Sequence, residues 1–148
     1  MQIEATATIE RPITEVWAFL ADPTNNPKWD PGTLEVQQTS DGPIGVGSTL
    51  DAVVDLLGRQ TVGVHFIAFD PPNELRFEFV SGFLTPTNVA YRLESVDPGR
   101  TRLTRVLEPR LRGGLRLLWP LFVWAARRHR ADEVSNVKRI LEADASER

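Results

Sequence analysis

Two side chains in this sequence combine useful chemistry with a position that turns it inward. Arg105 shares the two-residue parity of Leu103 and Leu107, and Tyr91 that of Val89 and Leu93; alternate residues of a strand face the same side. A guanidinium facing an apolar interior is prohibitive unless a carboxylate, solvent at a cavity mouth or an anionic ligand group meets it. The plainer readings are an internal ion pair or a head group that snorkels to water, and the sharper one is contact with a ligand. Tyr91 supplies a hydroxyl beside it, and Asn88 stands at the entrance to the same strand. Val64, Phe66, Phe77, Phe79 and Val89 form an apolar wall around these groups. An apolar wall with a few convergent polar groups is the usual construction of a small-molecule site. Leu121 and Ala125, from the last helix, complete the expected ligand-binding set. Trp29 and Asn88 are candidates for the cavity mouth, although a large aromatic of this kind is more often core.

Other chemistry finds little support. No catalytic residues can be named, since a nucleophile, a base and an orienting partner do not occur together. Gly42, Gly45 and Gly47 lie in GPIGVG, whose likeness to a phosphate loop is superficial because no helix follows. The two histidines, His65 and His129, do not make a metal-ligand cluster. His65 has the parity opposite to Val64 and Phe66, and so points away from the interior; His129 sits in the basic run 127–130. Asp51 and Asp55 share a strand face, but it is the outer one. Neither a metal nor a cofactor is expected.

These side chains must be carried by strands and helices, and the sequence marks both. Residues 2 to 10 alternate Ile3, Ala5, Ala7 and Ile9 with polar neighbours, the pattern of a half-buried strand. Pro12 suits the start of a helix carrying Val16, Trp17, Phe19 and Leu20. The proline-rich run 22–31 allows only a helix of one or two turns and an ordered loop. From 33 to 109, turn signals at 41–43, 58–59, 70–73, 81–82 and 97–99 separate six strand-length runs. The inner faces read Leu50, Ala52, Val54 and Leu56; Val62, Val64 and Phe66; Leu75, Phe77 and Phe79; Val89, Tyr91 and Leu93; Leu103 and Leu107. Such short connections imply antiparallel neighbours. Gly58 and Gly63 are candidate bulges, and a slip of one residue there would exchange inner and outer faces. After Gly113 and Gly114, apolar residues recur at helical spacing from Leu115 to Leu141, and Pro120 either opens the main helix or bends a longer one.

A chain of 148 residues with 41% hydrophobic and 25% charged residues fits one domain, 1–148, without linker or repeat. The absence of cysteine and the alternating N-terminus, unlike a signal peptide, make the cytoplasm the expected location. The net charge of -3 conceals a polarity: residues 1 to 80 carry 4 basic and 12 acidic side chains, and residues 81 to 148 carry 13 and 8. Pairing between elements of one fold accounts for that more simply than a nucleic-acid surface, and no nucleic-acid partner is expected.

The order of one strand, two short helices, six strands and a long helix resembles the SRPBCC superfamily. This is the helix-grip fold of START-like lipid carriers, Bet v 1-type proteins and bacterial polyketide cyclase/dehydrase-like proteins. The resemblance rests on IERPITEVWAFLADPTNNPKWDPG at 9–32, FDPPNELRF at 69–77 and GRTRLTRVLEP at 99–109. It implies an α+β domain in which a curved seven-stranded antiparallel sheet wraps around the long C-terminal helix, leaving a cavity between them. The expected function is binding of a hydrophobic or amphipathic small molecule, lipid-like or polyketide-like. The alternatives are a cyclase or aromatase that shapes a reactive chain in the cavity, and a membrane-surface or protein-interaction module. The last draws on LRLLWPLFVWAA at 115–126, about 12 residues and too short to span a bilayer, which needs ~20. That segment reads as core and lid, as a homodimer face, or as a patch for peripheral membrane contact.

Overall fold

The computed structural model describes residues 3–55, 59–80, 87–108 and 119–146. Strand β1 (Ile3–Ile9) leads into helix α1 (Ile13–Leu20), a single 3-10 turn (Pro23–Asn25) and the short helix α2 (Asn26–Trp29). Strands β2 (Thr33–Gln38), β3 (Thr49–Asp55), β4 (Arg59–Asp70), β5 (Glu74–Phe79), β6 (Thr87–Asp97) and β7 (Arg100–Glu108) follow, and helix α3 (Trp119–Ser146) comes last. All seven strands form one sheet in the order β1-β7-β6-β5-β4-β3-β2, with every neighbouring pair antiparallel. This is the helix-grip arrangement that the sequence motifs imply.

Each element follows from local chemistry. Pro12, in extended conformation, caps α1, and its carbonyl accepts from the N–H groups of Glu15 and Val16. Asp22 starts the 3-10 turn by accepting from the backbone N–H and the hydroxyl of Thr24. The GPIGVG segment is a hairpin connection: Gly42 and Gly47 take positive φ, which only glycine adopts without strain, and the Gly45 N–H donates to Ser48 Oγ at 2.9 Å. Pro120 is the second described residue of α3, and the segment before Trp119 lies outside the described residues.

The inner face of the sheet is the one that alternation indicates. Leu50, Ala52, Val54, Val62, Val64, Phe66, Leu75, Phe77, Val89, Tyr91, Leu93, Leu103 and Leu107 are all buried in one core with Val134, Val137 and Leu141 of α3. Leu56 lies outside the described residues. Gly63 is not a bulge, since it pairs regularly with Asp51. The irregularity on β4 falls between Phe66 and Ala68, and after it Phe69 stands opposite Leu75. One extra residue reverses the parity. Phe69 therefore turns inward and meets Trp17 edge-on at 5.2 Å, tying α1 to the sheet.

Helix α3 packs chiefly on β1, where Ala5 and Ala7 are small enough for close approach, and it also touches β7 and α2. Polar ties fix its height. Asn136 Nδ2 donates to the Trp29 carbonyl at 3.0 Å, Lys138 Nζ to the Thr8 carbonyl at 2.7 Å, and the Glu10 N–H to the Glu142 carboxylate at 3.3 Å. The buried Thr101 hydroxyl donates to the Arg11 carbonyl at 2.8 Å, holding the start of β7 against the β1–α1 connection. No helix among the described residues is long and apolar enough to cross a membrane.

Candidate functional site

Arg105 stands in the middle of β7, opposite Ala5 on β1 and Tyr91 on β6. It is only 4% exposed. Four side chains from three elements converge on its guanidinium. Glu133 of α3, itself buried, accepts from Nη1, and Asp30, which ends α2, lies 3.9 Å from Nη2. The guanidinium carbon sits 4.9 Å from the ring centre of Trp29 and 5.2 Å from that of Tyr91. Opposite charge and ring faces are the two compensations that make a buried cation tolerable. Burial works against the charge, but the Tyr91 oxygen, Glu133 and Asp30 outweigh it, so Arg105 is held above the ordinary guanidinium value. It carries its charge at any physiological pH.

Asp30 has a second role, as its Oδ1 accepts from the Gly32 N–H at 3.0 Å and its Oδ2 from the Thr33 hydroxyl at 2.9 Å. These bonds fix the carboxylate before it meets Arg105, so its orientation is set by the turn that leads into β2. Two buried N–H donors in the cluster, Arg105 Nε and Trp29 Nε1, have no hydrogen-bond partner among the described residues.

A row of aromatic rings leads away from the charged centre across the inner face. Trp29 meets Tyr91 at 5.8 Å, Tyr91 meets Phe77 at 5.6 Å, and Phe77 meets both Phe66 and Phe79 at 5.8 Å, all edge to face. Val64 and Val89 fill the positions beside them, both buried. Neighbouring strands present these residues in register: Val64 faces Phe79, Phe66 faces Phe77, and Phe77 faces Val89. The structure thus brings together Val64, Phe66, Phe77, Phe79, Val89, Tyr91 and Arg105.

Three expected positions fall elsewhere. Asn88 is on the outer face with Arg76 and Glu108, because it is one residue out of phase with Val89 and Tyr91. Leu121 is 62% exposed. At about 100° per residue it is turned about 160° from Val137 and about 220° from Val134, so the packed face of α3 excludes it. Trp29 is not at a mouth but 2% exposed within the core, where it covers Arg105. Ala125 lies on α3, but its side chain is outside the described set.

Glu133 and Asp30 are the residues that sequence reasoning missed. Glu133 precedes Val137 and Leu141 by four and eight residues, and so belongs to the buried stripe of α3. That spacing was the available signal. His65 behaves as its parity requires: it faces outward, part-exposed, 3.3 Å from Glu78 across the β4–β5 pair. Asp51 and Asp55 are exposed. Among the described residues no group of His, Cys, Asp and Glu could hold a metal ion.

Solved structures share this fold. The chain aligns with the Zhui aromatase/cyclase from a Streptomyces species at a TM-score of 0.78 and 20% identity, covering 96% of this chain and 93% of that one. A START superfamily protein from Mycobacterium smegmatis matches at a TM-score of 0.71 and 13% identity, covering 99% and 97%. The di-domain ARO/CYC protein BexL matches at a TM-score of 0.72 and 17% identity over 93% of this chain, which spans 46% of BexL. No curated protein matches the sequence. Residues 1–142 match the family described as polyketide cyclase / dehydrase and lipid transport, and the chain belongs to that family.

Proposed function

We propose that this protein binds a hydrophobic or amphipathic small molecule, lipid-like or polyketide-like, between the sheet and α3. The observation that carries the proposal is the aromatic row from Phe79 through Phe77 and Tyr91 to Trp29, ending at a buried cation. A row of rings with one polar end gives an elongated apolar ligand both a surface and an orientation. In this reading Val64, Phe66, Phe77, Phe79 and Val89 contact the apolar part, and Tyr91 and Arg105 orient its polar end. The absence of cysteine fits a role in the cytoplasm. The test is titration with the neutral fluorophore N-phenyl-1-naphthylamine. Saturable uptake at one site, reversed by long-chain ligands, is expected; no enhancement over a range of chain lengths would overturn the proposal.

A second reading is a cyclase or aromatase, as the names of Zhui and BexL suggest. The juxtaposition of the Tyr91 phenol and the Arg105 guanidinium favours it, since hydrogen-bond donors near a carbonyl stabilise the enolate formed in ring closure. Product analysis with a poly-β-keto thioester separates the two. Turnover lost in Tyr91→Phe with binding retained marks an enzyme; binding without turnover in the parent protein marks a carrier. The exposed Leu121 and Trp124 also support contact of this end of α3 with a second surface, a membrane or another copy of the chain. Failure to cosediment with anionic vesicles at low salt would remove the membrane, and a monomeric mass in solution would remove the dimer.

A further inference from the structure

We infer that the polar end of this site selects a neutral oxygen acceptor, such as a ketone, ester or alcohol, and rejects a free carboxylate. The inference rests on the ligand-binding reading above and specifies the chemistry of the ligand at that same site.

A buried arginine on the wall of an apolar site would ordinarily suggest an anionic ligand. Here the positive charge is already met. Glu133 is hydrogen-bonded to Nη1 and Asp30 lies 3.9 Å from Nη2. A ligand carboxylate brought to Arg105 would lose its hydration and find two carboxylates around the same cation. Desolvation and like charge both oppose it. One cation and two carboxylates leave the cluster one net negative charge, and a single net like charge acting over about 10 Å at an effective dielectric of about 20 corresponds to a factor of about 15 in affinity.

What remains unmatched is hydrogen-bonding capacity without charge. Arg105 Nε and Trp29 Nε1 are both buried donors lacking a partner among the described residues, and they belong to side chains stacked on each other. An unpaired buried donor is costly, and a neutral oxygen relieves it without adding charge. Trp29 and Tyr91 also meet the guanidinium through their rings, which compensates its charge without using its N–H groups.

The experiment uses the full chain and four probes of matched chain length, laurate, methyl laurate, lauryl alcohol and dodecane, each displacing N-phenyl-1-naphthylamine at neutral pH. The ester and the alcohol are expected to bind at least about tenfold more tightly than laurate. Glu133→Gln, which removes one negative charge and keeps the side-chain shape, should narrow that ratio by about tenfold. Trp29→Phe, which keeps a ring and removes the N–H, should weaken the ester and the alcohol by about 2- to 10-fold without affecting dodecane. Laurate binding as tightly as the ester in the parent protein overturns the inference even if the variants do not fold. A parent protein that binds none of the chains and no fluorophore instead overturns the ligand-binding reading. An unchanged ratio in a folded Glu133→Gln variant overturns the electrostatic cause.

Discussion

Replacing Glu133 by Leu strips the closest counter-charge from a buried guanidinium, and the structure sets the cost. Removing one partner of a buried pair typically costs about 3–5 kcal/mol, because the other charge stays desolvated. In Glu133→Leu the remaining Arg105 still has Asp30 at 3.9 Å and the faces of Trp29 and Tyr91. The loss should therefore lie near the lower end, about 3 kcal/mol. Arg105→Met instead leaves Glu133 and Asp30 together without their shared cation, and should cost about 4–5 kcal/mol. The double variant Arg105→Met/Glu133→Leu removes the desolvated pair and fills the volume with apolar atoms. It should be within about 1 kcal/mol of the parent, or more stable. Urea unfolding, compared at constant m-value, reads all four proteins. The cycle should return a coupling energy of at least about 3 kcal/mol. Additive single losses, or a cost for Glu133→Leu under about 1 kcal/mol, would show that water reaches the pair and would refute the reasoning.

Three further outcomes follow from particular contacts. Tyr91→Phe keeps the rings at Phe77 and Trp29 in place and removes only the hydroxyl, so affinity for an oxygenated ligand should fall about 2- to 10-fold while that for a plain hydrocarbon holds; displacement titration measures both. Leu121→Glu should change unfolding stability by no more than about 0.5 kcal/mol, as expected at an exposed position, and a concentration-dependent loss would reveal a partner on that face. Asp97 is held below the usual carboxylate range by its hydrogen bond to Arg100, then by the Gly99 N–H. A carboxyl depressed in the folded state stabilises above its unfolded pKa, and loses that contribution as pH falls through the folded value. The stability gap between the parent and Asp97→Asn should accordingly be present at neutral pH and close in acid, as followed by urea unfolding across pH.

Much of the architecture can be read from the sequence, because strand alternation, turn chemistry and helical spacing are local signals. The inner faces of β3 to β7 follow from parity alone, as does the outward turn of His65. Local signals fail where one residue is inserted. The bulge after Phe66 brings Phe69 inward against Trp17, which no count along β4 reveals. The site is legible in part for a similar reason. Parity indicates that Arg105 is buried and needs compensation. It cannot indicate which carboxylates arrive, because Asp30 and Glu133 come from elements far apart in the chain and only tertiary packing joins them. Asn88 shows the opposite error, as closeness to Tyr91 in sequence is not closeness on a strand face. Leu121 belongs to an apolar run that is out of phase with the packed stripe of α3, and apolar composition alone does not set that phase.

The central claim, that the interior between sheet and helix holds a small molecule, is tested most directly by native mass spectrometry of the protein purified from its own host, with the same sample measured again after denaturation. A complex of one protein and one small molecule is expected, with release on denaturation of a compound that carries a neutral oxygen on a hydrophobic frame. A protein that arrives with its sequence mass alone, and that also fails to take up N-phenyl-1-naphthylamine, would contradict it.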